Sequence, residues 1–292
     1  PDLTGWPTGV GGKPVRSYAV AEIVVANGEV DAEENDLCSL IEAIDNANDT
    51  TTGLIHDDCA AGDPLGADTI TLPAAGSFAI AYYVADTSYG YSGLPLITST
   101  ITIAGNGATI SRDDEYEYDL RFFTVVAGGL DEAGDLTLND LTLSGGQQAY
   151  YPGGAVAVYY GALALNGCTI SGNEATAGGA LSLYESTTAI SDTTIGDNTA
   201  ADGGAIFASY GTLALTDSTV SGNDAPGGDG GGLYASSLML TLDGAIMADN
   251  TAATGAGLFV QHSTAAITAH ALQPRKPVLL SLIHISEPTR PY

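Results

Sequence analysis

Short alternations of apolar and polar residues fill the second half of the chain, and they recur. Leu163 and Leu165, then Leu213 and Leu215, are apolar pairs two residues apart, which is the side-chain period of a strand. From Leu136 onward the pattern repeats in lines that align with one another: residues 163–181, 189–206, 213–234 and 240–259. Stacked in register they give columns of like residues. One reads Leu138, Leu165, Ile190, Leu215 and Leu242; a second reads Leu143, Ile170, Ile195, Val220 and Met247. A single short strand cannot bury its apolar face, whereas stacked coils share one continuous core.

The polar positions keep the same period. Asn173, Asn198, Asn223 and Asn250 are spaced 25, 25 and 27. Glycine pairs fall at Gly153–Gly154, Gly178–Gly179, Gly203–Gly204 and Gly231–Gly232, spaced 25, 25 and 28. Asparagine tolerates left-handed turns and can form an amide ladder from coil to coil. Glycine supplies positive φ and lets coils approach closely. Both columns are therefore read as structural. Cys168 falls in the column Leu141, Cys168, Thr193, Ser218, Ala245 and reads as a small buried filler. Helical repeats would need spacings of three and four and good helix formers, and a leucine-rich repeat would need a helix-forming half. Neither occurs. The predicted fold is all-β: a right-handed parallel β-helix with three short strands per coil of about 25 residues.

The first 65 residues read differently. Ser39 followed by Glu42 is a capping box, so a helix is expected over 39–48, with Leu40, Ile41, Ala43, Ile44 and Ala47 as its apolar face. It would cap the open end of the solenoid. Residues 66–272 are assigned to the β-helix, regular from 136. Continuing the columns by one coil gives Ile267, Leu272 and Arg275, so the asparagine ladder breaks at Arg275. The tail 273–292 is set apart, because 280–290 (LSLIHISEPTR) looks like a translated sequencing-library adapter. On that reading the natural chain continues further.

CSLIEAI at Cys38–Ile44 resembles the CSLREA-type N-terminal region of exported bacterial and archaeal β-helix proteins, with Ile41 where that family has arginine. The resemblance continues through residues 66–78, 93–110, 120–126 and 136–146, and covers most of 20–270. Gly203–Ile206 (GGAI), together with the asparagine-terminated pattern, is similar to polymorphic outer-membrane-protein repeats, although aromatic residues there stand where Ile170, Ile195, Val220 and Met247 stand here. The resemblance implies export and life at a cell surface or outside the cell.

Charge narrows the partners. With 35 acidic residues against 7 basic ones, a formal net charge of −28, neither nucleic acid nor an anionic membrane is an expected partner. Solubility in salty surroundings is the plainer account of the excess. No run of about 18 apolar residues is present to cross a membrane. Cys38 and Cys59 flank an acidic loop that a disulfide would close, as suits an exported chain. Two free thiols or half a metal site are the alternatives, with no CxxC spacing or neighbouring histidine pair to favour metal.

Chemistry is harder to find. Between Phe122 and Pro274 there is no Lys or Arg, which disfavours β-elimination of uronates; Arg121 reads equally well as a partner of nearby acids or of substrate. Hydrolysis needs only two carboxylates. Asp192, Asp197, Asp202, Asp217, Asp224, Asp229, Asp243 and Asp249 are candidates, but most sit where turns favour Asp anyway. The same acids suit calcium, though no calcium-loop consensus occurs; no other cofactor is expected. His56, His262, His270 and His284 lack motif partners. Fifteen tyrosines stand out, with Tyr82, Tyr83, Tyr89 and Tyr91 in an insertion and Tyr150 and Tyr151 as a pair. Tyr joins a rigid apolar body to a polar tip, which suits protein or sugar contact; Tyr159, Tyr184 and Tyr210 are expected to stack between coils. The expectation is a non-enzymatic secreted or surface module, adhesin-like or envelope-structural, contacting a protein or glycan. The alternative is a pectin-lyase-like carbohydrate-active enzyme, a hydrolase rather than a lyase.

Overall fold

The computed structural model describes residues 21–32, 35–49, 55–64, 66–115, 118–127, 134–268 and 285–286. Strand upon strand pairs in parallel, and the coils form a β-solenoid, with a single helix among the described residues. The longest ladder runs from Ala21–Val24 through Asp68–Thr71, Thr100–Arg112, Asp135–Ser144, Ala162–Asn166, Leu181–Ser191, Ile206–Thr216 and Met239–Asp243 to Thr264–Thr268. Its central column is Ile23, Ile70, Ile103, Leu138, Leu165, Ile190, Leu215, Leu242 and Ile267. The aligned leucines of the repeat are thus the later part of one column that reaches back to Ile23. The early steps are uneven because the helix and a hairpin are inserted between coils, which hides the stacking from a period search.

The column is buried from Ile23 through Leu242, while Ile267 in the last described coil is 48% exposed. Each fully buried Ile or Leu contributes about 1.5–3 kcal/mol, so a chain of eight outweighs any single polar contact described below.

Each coil is bent at corners that carry left-handed residues. One corner column is Tyr160, Glu185, Tyr210, Ser237 and His262; another is Gly167, Asp192, Asp217 and Gly244; a third is Gly172, Asp197, Gly222 and Asp249. Gly153, Gly178, Gly203, Gly230 and Gly255 form the fourth. Asp192, Asp197, Asp217 and Asp249 therefore stand where their side chains ease a strained turn. One coil has the three strands Leu181–Ser191, Thr194–Gly196 and Thr199–Asp202. In the preceding coil the long strand divides at its corner into Val156–Tyr159 and Ala162–Asn166.

The glycine column needs one correction. Gly203, at φ 59°, is followed in register by Gly230, at φ 69°, and the Gly204 amide donates to Gly230 O. The in-register pair is Gly230–Gly231, not Gly231–Gly232. Strand Asp224–Asp229 has six residues where its neighbours Thr199–Asp202 and Thr251–Thr254 have four, and the run of three glycines at 230–232 conceals that two-residue shift. At Gly179 a Cβ would lie 2.4 Å from Gly204 O, so the coils close up here only around glycine.

The asparagines form a continuous ladder beneath the surface. Asn173 donates from its backbone amide and from Nδ2 to Asn198 Oδ1, both at 2.9 Å. Asn198 repeats this with Asn223 at 3.0 and 2.9 Å, and Asn223 with Asn250 at 3.0 and 2.9 Å. The spare Nδ2 hydrogens go to carbonyls such as Gly196 O and Ser221 O. All dipoles point the same way, so each bond polarises the next. A shorter polar ladder runs beside it, from the Cys168 amide to Thr193 Oγ1 and from the Thr193 amide to Ser218 Oγ, each at 3.2 Å. Cys168 is buried, and burial raises its thiol pKa. Its Sγ donates to Leu138 O and Asn166 O, making it a member of that ladder as well as a filler.

The helix is Leu40–Asn48. Ser39 caps it, its Oγ accepting from the Glu42 amide at 3.2 Å while Glu42 Oε2 accepts from the Ser39 amide at 2.9 Å. Leu40, Ile41, Ala43, Ile44 and Ala47 are buried in the same core as Ile23, Ile70 and Ile103. Two polar residues that pattern alone did not single out moor the far end. Asn46 Oδ1 accepts from the Ile55 and His56 amides, and Asn48 bonds Leu96 O and Thr98. Cys38 and Cys59 form a disulfide that closes the intervening loop. The tail expected from 273 is described only at Ile285–Ser286, which pairs with Val260 and Gln261; Leu272, Arg275, His270 and His284 lie outside the described residues.

Candidate functional site

The coil is interrupted by an antiparallel hairpin, Ala85–Thr87 paired with Gly90–Ser92. Thr87 builds its turn, its Oγ1 accepting from the Tyr89 amide at 3.1 Å. The hairpin is pinned to the solenoid from below. Arg121 donates from Nη1 to Tyr89 O at 2.8 Å, and its backbone amide donates to Tyr91 O at 3.1 Å. Gln148 Nε2 donates to the same Tyr91 carbonyl at 2.5 Å. A Cβ on Gly90 would sit 2.7 Å from both Arg121 Nη2 and Tyr151 Cγ, so only glycine lets the loop close over the arginine.

Arg121 is fully buried, and among the described residues no carboxylate pairs with it. Sequence reasoning left open that it neutralises nearby acids. Instead it bonds oxygens that carry no formal charge: Gly153 O at 3.0 Å, Thr124 Oγ1 at 3.3 Å and Tyr89 O. Burial pulls its pKa down to about 10, opposed by the neighbouring Tyr159 phenol. It therefore remains charged at neutral pH, and its hydrogen bonds to these oxygens are charge-assisted.

The pinned hairpin gathers tyrosines from separate stretches of chain. Tyr83 lies against Tyr91, ring centroids 4.7 Å apart, and Tyr91 against Tyr151 at 5.9 Å. Tyr118 meets Tyr82 at 5.5 Å and Tyr83 at 6.1 Å. The rings are tilted or edge-on rather than stacked flat. Tyr82, Tyr83 and Tyr118 are 47%, 38% and 45% exposed, and Tyr150 nearby is 80% exposed. Tyr89 turns inward to Tyr159, 4.4 Å away. Asp86 foremost raises the Tyr91 phenol pKa, with Asp119 adding to it, so the surface is acidic as well as aromatic.

Elsewhere aromatic residues pack along the solenoid. Tyr160, Tyr184 and Tyr210 touch edge to face at 5.6 and 5.7 Å, so Tyr160 takes the place in this stack expected of Tyr159. Phe207, Tyr234 and Phe259 stack nearly flat at 4.7 and 5.0 Å. Flat stacking hides ring faces against one another, whereas the rings at the hairpin meet tilted or edge-on.

No protein-family model, curated protein or solved structure matches this chain.

The carboxylates are spread around the coils. Asp202 Oδ1 accepts from the Asp229 amide at 2.9 Å in the next coil, and Asp224 accepts from the Thr251 hydroxyl. Both Asp202 and Asp229 raise the pKa of Tyr234 after burial has done so. His56 meets Asp45 at 3.2 Å beside the helix, and His262 occupies a corner. Among the described residues no group of three or more His, Cys, Asp or Glu side chains is placed to hold a metal ion, and no helix is long and apolar enough to cross a membrane. The tyrosine surface is assembled from residues that the sequence showed singly. Gln148 and the role of Arg121 were not legible, because each acts on a carbonyl far away in sequence.

Proposed function

We propose that this chain is a non-catalytic recognition module of a secreted or cell-surface protein, adhesin-like or envelope-structural, whose stacked coils carry a contact surface for a protein or glycan. One observation carries the reading: tyrosines from the hairpin, the Tyr118 segment and the Tyr150–Tyr151 segment converge on one partly exposed surface held rigid from beneath. Rigid aromatic surfaces give contact area at small entropic cost. The disulfide suits an oxidising compartment, and the resemblance of Cys38–Ile44 to the CSLREA-type region of exported β-helix proteins points the same way. Beads carrying the chain are expected to retain labelled microbial cells, and beads carrying the Tyr82→Ala/Tyr83→Ala/Tyr118→Ala variant to lose them. Equal retention by both overturns the reading.

A second reading is favoured by Asp202 and Asp229, which lie in successive coils beside the Phe207–Tyr234–Phe259 stack. A pair of carboxylates flanking the scissile bond is what most glycoside hydrolases require. Sustained release of reducing sugar from a polysaccharide, abolished by Asp202→Asn, would replace the module with an enzyme.

A further inference from the structure

We infer that the tyrosine surface around the hairpin takes an uncharged glycan chain; the inference rests on the recognition reading above and names its ligand. Two features of the surface argue for this class. The first is charge. Asp86 and Asp119 bear on Tyr91, Arg121 is buried beneath the hairpin, and the whole chain carries −28. A polyuronate or sulfated chain would meet repulsion at every step, while a neutral sugar meets none.

The second feature is ring geometry. Sugars stack their C–H faces on exposed aromatic faces and direct hydroxyls to the rim. Tyr83 and Tyr91 are inclined by 37°, Tyr82 and Tyr118 by 54°, and Tyr83 and Tyr118 by 78°. At these angles the rings do not cover one another flat, and Tyr82, Tyr83 and Tyr118 stay 47%, 38% and 45% exposed. The Phe207–Tyr234–Phe259 stack, inclined by only 12° and 20°, offers edges.

The test is a glycan array carrying neutral gluco-, xylo-, manno- and galacto-oligosaccharides beside oligogalacturonates and sulfated glycans. At least one neutral series is expected to bind at least tenfold more strongly than any anionic one. Tyr83→Ala/Tyr118→Ala should reduce that signal about tenfold or more, while Tyr83→Phe, which keeps the ring, should retain most of it. Melting curves check that the variants fold. Saturation-transfer NMR on the unaltered chain, with the best neutral oligosaccharide, should report tyrosine ring protons in contact with sugar C–H protons whatever the variants do. A strongest signal on uronates or sulfated glycans, silence on every neutral glycan, or binding unchanged by Tyr83→Ala/Tyr118→Ala overturns the inference. If the array fails while cells are still retained through the tyrosines, the ligand is wrong and the recognition reading stands. If both fail, both fall.

Discussion

Removing one rung of the asparagine ladder should cost far more than the loss of an ordinary surface amide. Asn198 is fully buried. Its Oδ1 accepts from the Asn173 amide and from Asn173 Nδ2, and its Nδ2 donates to Gly196 O, Ile170 O and Asn223 Oδ1. Asn198→Ala deletes this side-chain bonding and leaves the Asn173 backbone N–H without an acceptor where water does not reach. An orphaned buried donor costs about 1–3 kcal/mol, and each further lost bond about 0.5–1.5 kcal/mol with partial relaxation. The expected loss is about 3–5 kcal/mol. Asn250→Ala, at the end of the ladder where the side chain is 9% exposed, should cost about half as much because water can replace part of what is lost.

Urea unfolding followed by far-ultraviolet circular dichroism gives the global loss. Stacked repeats need not unfold in one step, so hydrogen exchange should be measured coil by coil. The Asn173 amide and its neighbours on strands Thr169–Ser171 and Thr194–Gly196 should lose protection first. A global loss under about 1 kcal/mol, or an unchanged exchange rate at Asn173, would refute the ladder as a source of stability.

Three further outcomes follow from the same structure. Asp68 is buried, with Oδ1 accepting from the Asp63 amide and Oδ2 unpartnered; desolvation foremost raises its pKa to about 6. The fold therefore favours the protonated form, and this contribution is present below pH ~4 and lost as pH rises through about 6, by up to roughly 3 kcal/mol. The stability difference between wild type and Asp68→Asn should shrink or reverse across that window, and a flat difference from pH 4 to 7 refutes it. Gly179→Ala places a methyl 2.4 Å from Gly204 O and should cost several kcal/mol, whereas Gly167→Ala, left-handed but with nothing within 4 Å, should cost only about 1 kcal/mol; similar melting temperatures for the two would refute the close approach. Cys38→Ser/Cys59→Ser removes a crosslink between residues 21 apart and should destabilise the chain by about 3 kcal/mol, with hydrogen exchange rising first around helix Leu40–Asn48; unchanged protection there counts against the helix depending on it.

The repeat was legible because burial imposes it. A column such as Leu138, Leu165, Ile190, Leu215 and Leu242 must stay apolar at every turn, and an asparagine ladder works only if each rung is asparagine. The capping box and the disulfide pair were also readable, since each depends on local residues or on the few cysteines available. Amino-acid sequence by itself therefore determined the parallel β-solenoid, the helix that starts at Ser39, and the acidic character of the chain.

Register and convergence were decided only in three dimensions. The two-residue insertion in Asp224–Asp229 moved the glycine pairing to Gly230–Gly231, a shift that the glycine run made invisible. The ladder's extension back to Ile23 was masked by insertions that alter spacing without disturbing stacking. The tyrosine surface depends on contacts between separate stretches of chain, Tyr83 with Tyr91 and Tyr118, and Tyr91 with Tyr151. Arg121 and Gln148 hold that surface by bonding backbone carbonyls, which every residue possesses and no sequence pattern marks. A periodic core writes itself into the chain because every coil repeats the same burial. A site built once, on an insertion, leaves only its individual residues there.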